Sequence, residues 1–210
     1  MGNRLLAVRR LQRQQTRAAG RRVRDAYPTP PWCLEALLAV GPRPMTSWVL
    51  EPSAGEGSLV RVLVEAGYAV EAVEIREECR PALEAAGAVQ VTIGDFLGQA
   101  GNQFGARPLG APGGCGTFGI VGNPPYSQAF AFARRCVESS HYTALLLRAG
   151  FWETTERARW LSEHPPSAIR ALGTRPSFTG DGTDGTAYAW FVWTTERVDR
   201  PFLVLTRGDE

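Results

Sequence analysis

Short apolar runs alternate along this chain with amphipathic stretches of helical period. Trp48-Val-Leu50, Ala69 to Ile75, Val89 to Ile93, 118–122, Tyr142 to Leu147, Ala168 to Leu172 and Ala187 to Thr194 read as seven strands. Between them, Cys33 to Val40, Ser58 to Gly67, Arg76 to Ala86, 127–139 and 153–163 read as helices. In the second of these, Leu59, Val62 and Leu63 fall on one face at spacings of three and four. Pro30 and Pro31 introduce the first helix, Gly87 closes the third, and Pro165-Pro166 stop the last. A final apolar piece spans Phe202 to Leu205. Residues 98–117 hold seven glycines, two prolines and no periodicity, and are predicted to be a loop.

Alternation of this kind specifies an α/β fold: a mostly parallel sheet with helices on both faces. The last two of the seven strands are joined by a Gly/Asp-rich turn at 180–185 instead of a helix, so an antiparallel hairpin at one sheet edge is expected. Each unusual motif follows a strand directly, and so falls on the rim at the strands' carboxyl ends, where such sheets bind ligands.

Composition changes the picture in three ways. With 44% apolar and 21% charged residues in 210, the chain is an ordinary globular domain, and no apolar run approaches the ~18 residues of a membrane span. Residues 1–24 carry eight of the 23 basic residues, all of them arginine, and no acid. They form a basic arm (Arg9, Arg10, Arg13, Arg17, Arg21, Arg22 and Arg24 among them) ahead of one domain over 25–210 that is acidic on balance. That layout suits nucleic-acid binding; a transit peptide or a solvated tail are the alternatives. Cys33, Cys79, Cys115 and Cys136 are scattered and the histidines are only His141 and His164, which gives neither a zinc cluster nor a disulfide framework. A reducing cytoplasm is the expected compartment.

Two rim motifs carry the candidate chemistry. Glu51-Pro52-Ser53-Ala54-Gly55-Glu56-Gly57 is a glycine-containing turn between a strand and a helix N-terminus, where backbone can approach a ligand closely. Glu74, with Ile75 beside it, ends the next strand nineteen residues after Gly55, placed to bond ribose hydroxyls. Position 60 is Val where a dinucleotide loop has its third glycine. A nucleoside with a short zwitterionic appendage therefore fits better than a pyrophosphate cofactor. With Asp95-Phe96 at the end of the third strand placed to read an adenine, the cofactor expected is S-adenosylmethionine. The second motif is Asn123-Pro124-Pro125-Tyr126, a stiff turn closing an apolar strand. Its Asn side-chain oxygen and Pro124 carbonyl are suited to accept both hydrogens of a planar amine while Tyr126 stacks on its face.

Over residues 27–195 the chain resembles the amino-directed class I methyltransferases, the N6-adenine and N4-cytosine DNA enzymes, in the order of the unpermuted gamma group. Tyr27-Pro-Thr29-Pro30-Pro resembles the segment that covers the cofactor there, Glu51 to Gly57 the cofactor loop, Glu74 the ribose carboxylate, Asp95-Phe96 the adenine contact, and Asn123-Pro-Pro-Tyr126 the catalytic signature. The stretch from Arg175-Pro-Ser-Phe178 to Trp193 is similar to DNA methylases of bacteriophages and prophages.

The resemblance implies a Rossmann-like sheet of seven strands and methyl transfer to the exocyclic amine of an adenine swung out of its stack, in DNA in a bacterial or phage-infected cell. Asn123 also borders the cofactor in this reading, and Phe178, with Trp190 as substitute, opposes Tyr126 across the base. Nothing after residue 195 is large enough for a target-recognition domain, so short or weak sequence preference is expected. RNA adenine, cytosine N4, a protein glutamine amide and an inactive cofactor-binding subunit are the alternatives.

Overall fold

A computed structural model describes residues 28–98, 118–178 and 185–207. The basic arm, Tyr27, nearly all of the 98–117 loop and the acidic turn Asp181–Asp184 lie outside the described residues. Helix α1 (Trp32–Val40) leads into β1 (Trp48–Glu51), α2 (Ser58–Glu65) and β2 (Ala69–Glu74). A 3-10 turn (Glu77–Cys79), α3 (Arg80–Ala85), β3 (Gln90–Ile93), β4 (Gly119–Gly122) and α4 (Ala129–Ser139) follow. The chain continues through β5 (Tyr142–Arg148), α5 (Thr155–Glu163), β6 (Ala168–Leu172), β7 (Tyr188–Thr194) and β8 (Phe202–Leu205). The third helix begins later than its periodicity suggested. Pro81 lacks the N–H that would bond back to residue 77, so the stretch before Arg80 tightens into a single 3-10 turn.

The strands form one sheet in the order β3-β2-β1-β4-β5-β7-β6-β8. β7 pairs antiparallel with both β5 and β6, and every other pairing is parallel. Two expectations are corrected. The sheet has eight strands instead of seven, because Phe202–Leu205 adds to β6, and the β6–β7 hairpin lies inside the sheet, not at its edge. The burial pattern explains both. β7 is buried from Tyr188 to Trp193 on both faces and needs neighbours on both sides. β8 exposes Phe202 and Val204, as an edge strand can. Buried Arg170 of β6 donates to the carbonyls of Gly41 (2.8 Å) and Arg200 (2.9 Å), tying both flanking loops to the sheet.

Helices cover both faces. Leu34 and Leu37 of α1, Leu59 and Leu63 of α2 and Leu83 of α3 pack with Val49, Leu146 and Trp190 on one side. Phe132 and Cys136 of α4 and Trp160 of α5 pack with Leu50, Ile120 and Phe191 on the other. The chain runs outward from β1 to β3, then returns to start β4 on the other side of β1. The crevice of this topology therefore opens at the carboxyl ends of β1 and β4, which are Glu51 and Gly122. Among the described residues no helix is long and apolar enough to cross a membrane.

Candidate active site

The loop after β1 is folded by its own backbone. Ala54 N–H bonds to Val73 O (2.9 Å) and Gly57 N–H to Ala54 O (2.9 Å), curling residues 54–57 over the end of β2. Gly55 (φ +56°) and Gly57 (φ +82°) both occupy the left-handed region. A Cβ on Gly57 would lie 2.8 Å from the Ala86 Cβ, so the loop also needs Gly57 for close packing on α3. Gly57→Ala is expected to cost about 2–4 kcal/mol, backbone strain and overlap together, measurable as a lowered denaturation midpoint.

Glu74 is buried and bonded within this turn. It accepts from Gly55 N–H (2.7 Å) through Oε2, and from the N–H (3.1 Å) and Nε (2.9 Å) of Arg76 through Oε1. Those three bonds leave acceptor capacity at a carboxylate that takes about four.

The loop meets the Asn-Pro-Pro-Tyr turn directly. A Cβ on Gly122 would stand 3.0 Å from the ring of Pro52 and 3.3 Å from Glu51 Oε1, so the two strand ends touch only because residue 122 is glycine. Ser53 Oγ donates to the Asn123 carbonyl (3.2 Å). The Asn123 amide donates through Nδ2 to Thr29 Oγ1 (2.8 Å), while the Thr29 carbonyl accepts from Ser58 Oγ at the start of α2. Stretches distant in sequence thus meet at Asn123, Thr29 at its side chain and Ser53 at its backbone carbonyl. The turn's own backbone bond runs from Gln128 N–H to Pro125 O (2.8 Å), which leaves the Pro124 carbonyl outside it.

Among the described residues, three buried side-chain polar atoms have no hydrogen-bond partner, and two of them are here: Asn123 Oδ1 and Glu51 Oε2. Buried acceptors are almost always satisfied, so a pair of unsatisfied ones on adjacent strand ends marks a place built for a donor. The Glu51 carboxyl is pushed up to about 8, chiefly by burial, with a hydrogen bond from the Asn123 backbone opposing the rise and the charge of Glu74 adding to it.

Tyr126 stands in an aromatic group. Its ring is 5.4 Å from Tyr188 and 6.3 Å from Phe178, the latter edge-on at 68°, and the Arg148 guanidinium lies over it at 4.9 Å. The structure brings Phe178 to Tyr126, though the ring is mostly buried on Tyr188. Trp190 is fully buried, with its indole N–H on Cys33 O (2.8 Å). Next to Glu74 in sequence, Ile75 is 64% exposed. Asp95 is exposed and accepts from Leu97 N–H (2.9 Å), while Phe96 is buried against Phe132 with Arg135 over its ring. Pro52, Ala54 and Thr29 are buried; Pro30, Ser53 and Gly55 are partly exposed. Sequence reasoning missed Ser58, Arg76, Tyr188 and Arg148. Arg148 had a legible signal: it is the one charged residue of an otherwise apolar strand and stands at its carboxyl end.

No family model matches the chain, and no curated protein sequence matches it. Solved structures do. The chain has the Rossmann-like fold of the methyltransferases. A proposed RNA methyltransferase from Pyrococcus horikoshii superposes with a TM-score of 0.53 at 16% identity, over 80% of this chain and 82% of that one. The 23S rRNA methyltransferase ErmE matches with a TM-score of 0.50 at 18% identity, over 82% and 69%. A dimethyladenosine transferase from Plasmodium falciparum matches with a TM-score of 0.53 at 14% identity, over 79% and 62%. At these identities the likeness is one of fold.

Proposed function

We propose that this protein transfers a methyl group from S-adenosylmethionine to the exocyclic amine of adenine in a nucleic acid. The observation that carries the reading is the unsatisfied Oδ1 of Asn123, an acceptor held in place by Thr29 at the crevice between β1 and β4.

The residues fit the cofactor. Glu51 Oε2, buried and unpartnered, calls for a cationic donor such as an ammonium group. Gly55 and Gly57 let the loop backbone take the left-handed turns that curl it over the end of β2, Glu74 keeps acceptor capacity for a ribose hydroxyl, and exposed Ile75 offers an apolar face to an adenine ring. Pro52, Ser53, Ala54, Thr29 and Pro30 shape the walls. S-adenosylmethionine supplies the electrophilic methyl group; the chain's own residues position the amine.

Asn123 Oδ1 and the Pro124 carbonyl accept the two amine hydrogens, which favours a pyramidal nitrogen and frees its lone pair for in-line attack. Pro125 fixes the turn, and Tyr126 stacks on the base, with Phe178 at its edge. The cationic product amine sheds its proton readily, so catalysis is positioning plus electrostatics.

The same turn serves DNA and RNA. Resemblance to phage methylases favours DNA, and the fold neighbours whose names state a polymer, including ErmE, favour RNA. The purified protein with methyl-labelled cofactor is to be offered duplex DNA, single-stranded DNA and total RNA. Label recovered as N6-methyladenine in one of them is the expected outcome. Label in cytosine or protein alone, or in nothing, overturns the proposal.

A further inference from the structure

Arg148 is placed as a catalytic neighbour without a duty in the scheme above. It ends β5, the strand next to β4, and its cross-strand partner in β7 is Tyr188. Tyr188 and Arg148 therefore project on the same face of the sheet. Both reach Tyr126: Tyr188 packs at 5.4 Å between centroids, and the Arg148 guanidinium carbon lies 4.9 Å from the ring centre.

Among the described residues the Arg148 charge has no acidic partner. The ion pairs among the described residues are Arg76 with Glu74, Arg80 with Glu77 and Glu84, Arg159 with Glu163, and Arg197 with Asp199. Among the described residues three other arginines lie over rings, Arg134 on Phe130, Arg135 on Phe96 and Arg157 on Phe151, and all three rings belong to the α4–α5 side of the sheet. Arg148 alone among them touches the catalytic turn. An exposed guanidinium on a ring that is to stack a nucleobase is one side chain away from the anionic part of the same nucleotide. Arginine matches that group's geometry through its forked donors while its flat face rests on the aromatic ring.

We propose that Arg148 binds the backbone phosphodiester of the nucleotide whose base is presented to Asn123. It is a positioning residue, anchoring the strand so that the base reaches Tyr126, and it takes no part in methyl transfer. The inference rests on the nucleic-acid reading of the site.

The test is binding of the full-length protein to 5′-fluorescein single-stranded DNA and RNA oligonucleotides, by polarisation across a salt series. One phosphate contact to a single strand contributes about 0.7 to the slope of log K against log salt. Arg148→Ala and Arg148→Gln are both expected to flatten the slope by about that amount and to raise KM for the polynucleotide about five- to tenfold with kcat nearly unchanged. Arg148→Lys is expected to keep the slope. Gln retains a planar group for Tyr126 without charge, so a role confined to capping the ring would leave its slope at the wild-type value. Unchanged slopes in both neutral variants, with cofactor affinity and melting temperature intact, overturn the proposal alone. Failure of the wild-type protein to bind any polynucleotide overturns the nucleic-acid reading and this inference with it.

Discussion

Asn123→Ala is expected to lower kcat for methyl transfer by about 10²–10³, the scale seen when one preorganised hydrogen-bonding group is removed from a reacting centre. The side chain has two jobs in this structure, and they are separable. Its Nδ2 holds Thr29 at 2.8 Å, and its Oδ1 waits for a donor. Loss of the first weakens the Thr29 segment by one hydrogen bond, about 0.5–1.5 kcal/mol. S-adenosylmethionine affinity, measured by calorimetry, should therefore fall no more than about tenfold. The backbone bond from Ser53 to the Asn123 carbonyl survives the substitution, so the turn keeps its place. Thr29→Val isolates the orienting role: it removes the partner of Nδ2 and leaves Oδ1. About a tenfold loss of kcat is expected there, well short of that in the alanine variant. Full activity of Asn123→Ala in single-turnover assays would remove this residue from the mechanism.

The convergence on Asn123 was only half legible in the chain. Each motif announced itself locally, through the glycines of 55 and 57, the acid ending β2 and the paired prolines after Asn123, because each must solve a local backbone problem at a strand end. Hydrophobic periodicity gave strands β1 to β7 to within two residues at either end, since buried strands in a covered sheet have to be apolar along their length. Their order was less accessible. The position of β7 between β5 and β6 depends on which strand is apolar on both faces, and Phe202–Leu205 reads as a strand only when an edge at β6 exists to receive it. Contacts between distant side chains left no trace in one sequence. Neither the bond from Ser58 to Thr29 nor Arg148 over Tyr126 follows from spacing, because both are set by how the elements pack.

Glu51 leads to the second large effect, in which stability and function move in opposite directions. Its carboxyl, raised from about 4.5 to about 8 by burial, is mostly neutral at pH 7 in the protein alone. In the unfolded chain it ionises near its ordinary value. Between those two values the folded state holds a proton that the unfolded state has released, so the stability this group contributes is complete below about pH 4.5. It is lost as pH rises through about 8. A cationic group arriving beside Oε2 reverses the preference and draws the proton off. Cofactor affinity in the wild-type protein is therefore expected to rise as pH is raised from about 6 toward 8, by up to tenfold per unit, and to fall again above that as the free cofactor's own ammonium loses its proton. Glu51→Gln freezes the neutral form. It should bind the cofactor weakly and with no pH dependence over this range. Yet at pH 9 it should melt about 10–15 °C above the wild type, a gain of up to about 5 kcal/mol, with the two proteins converging toward pH 5. Titration calorimetry and thermal melts at pH 5, 6, 7, 8 and 9 read both arms. Wild-type affinity that is flat with pH would show that Glu51 does not face the cofactor's cation. Equal melting temperatures at pH 9 would show that the carboxylate is not held in the buried, unpartnered state on which the proposed site rests.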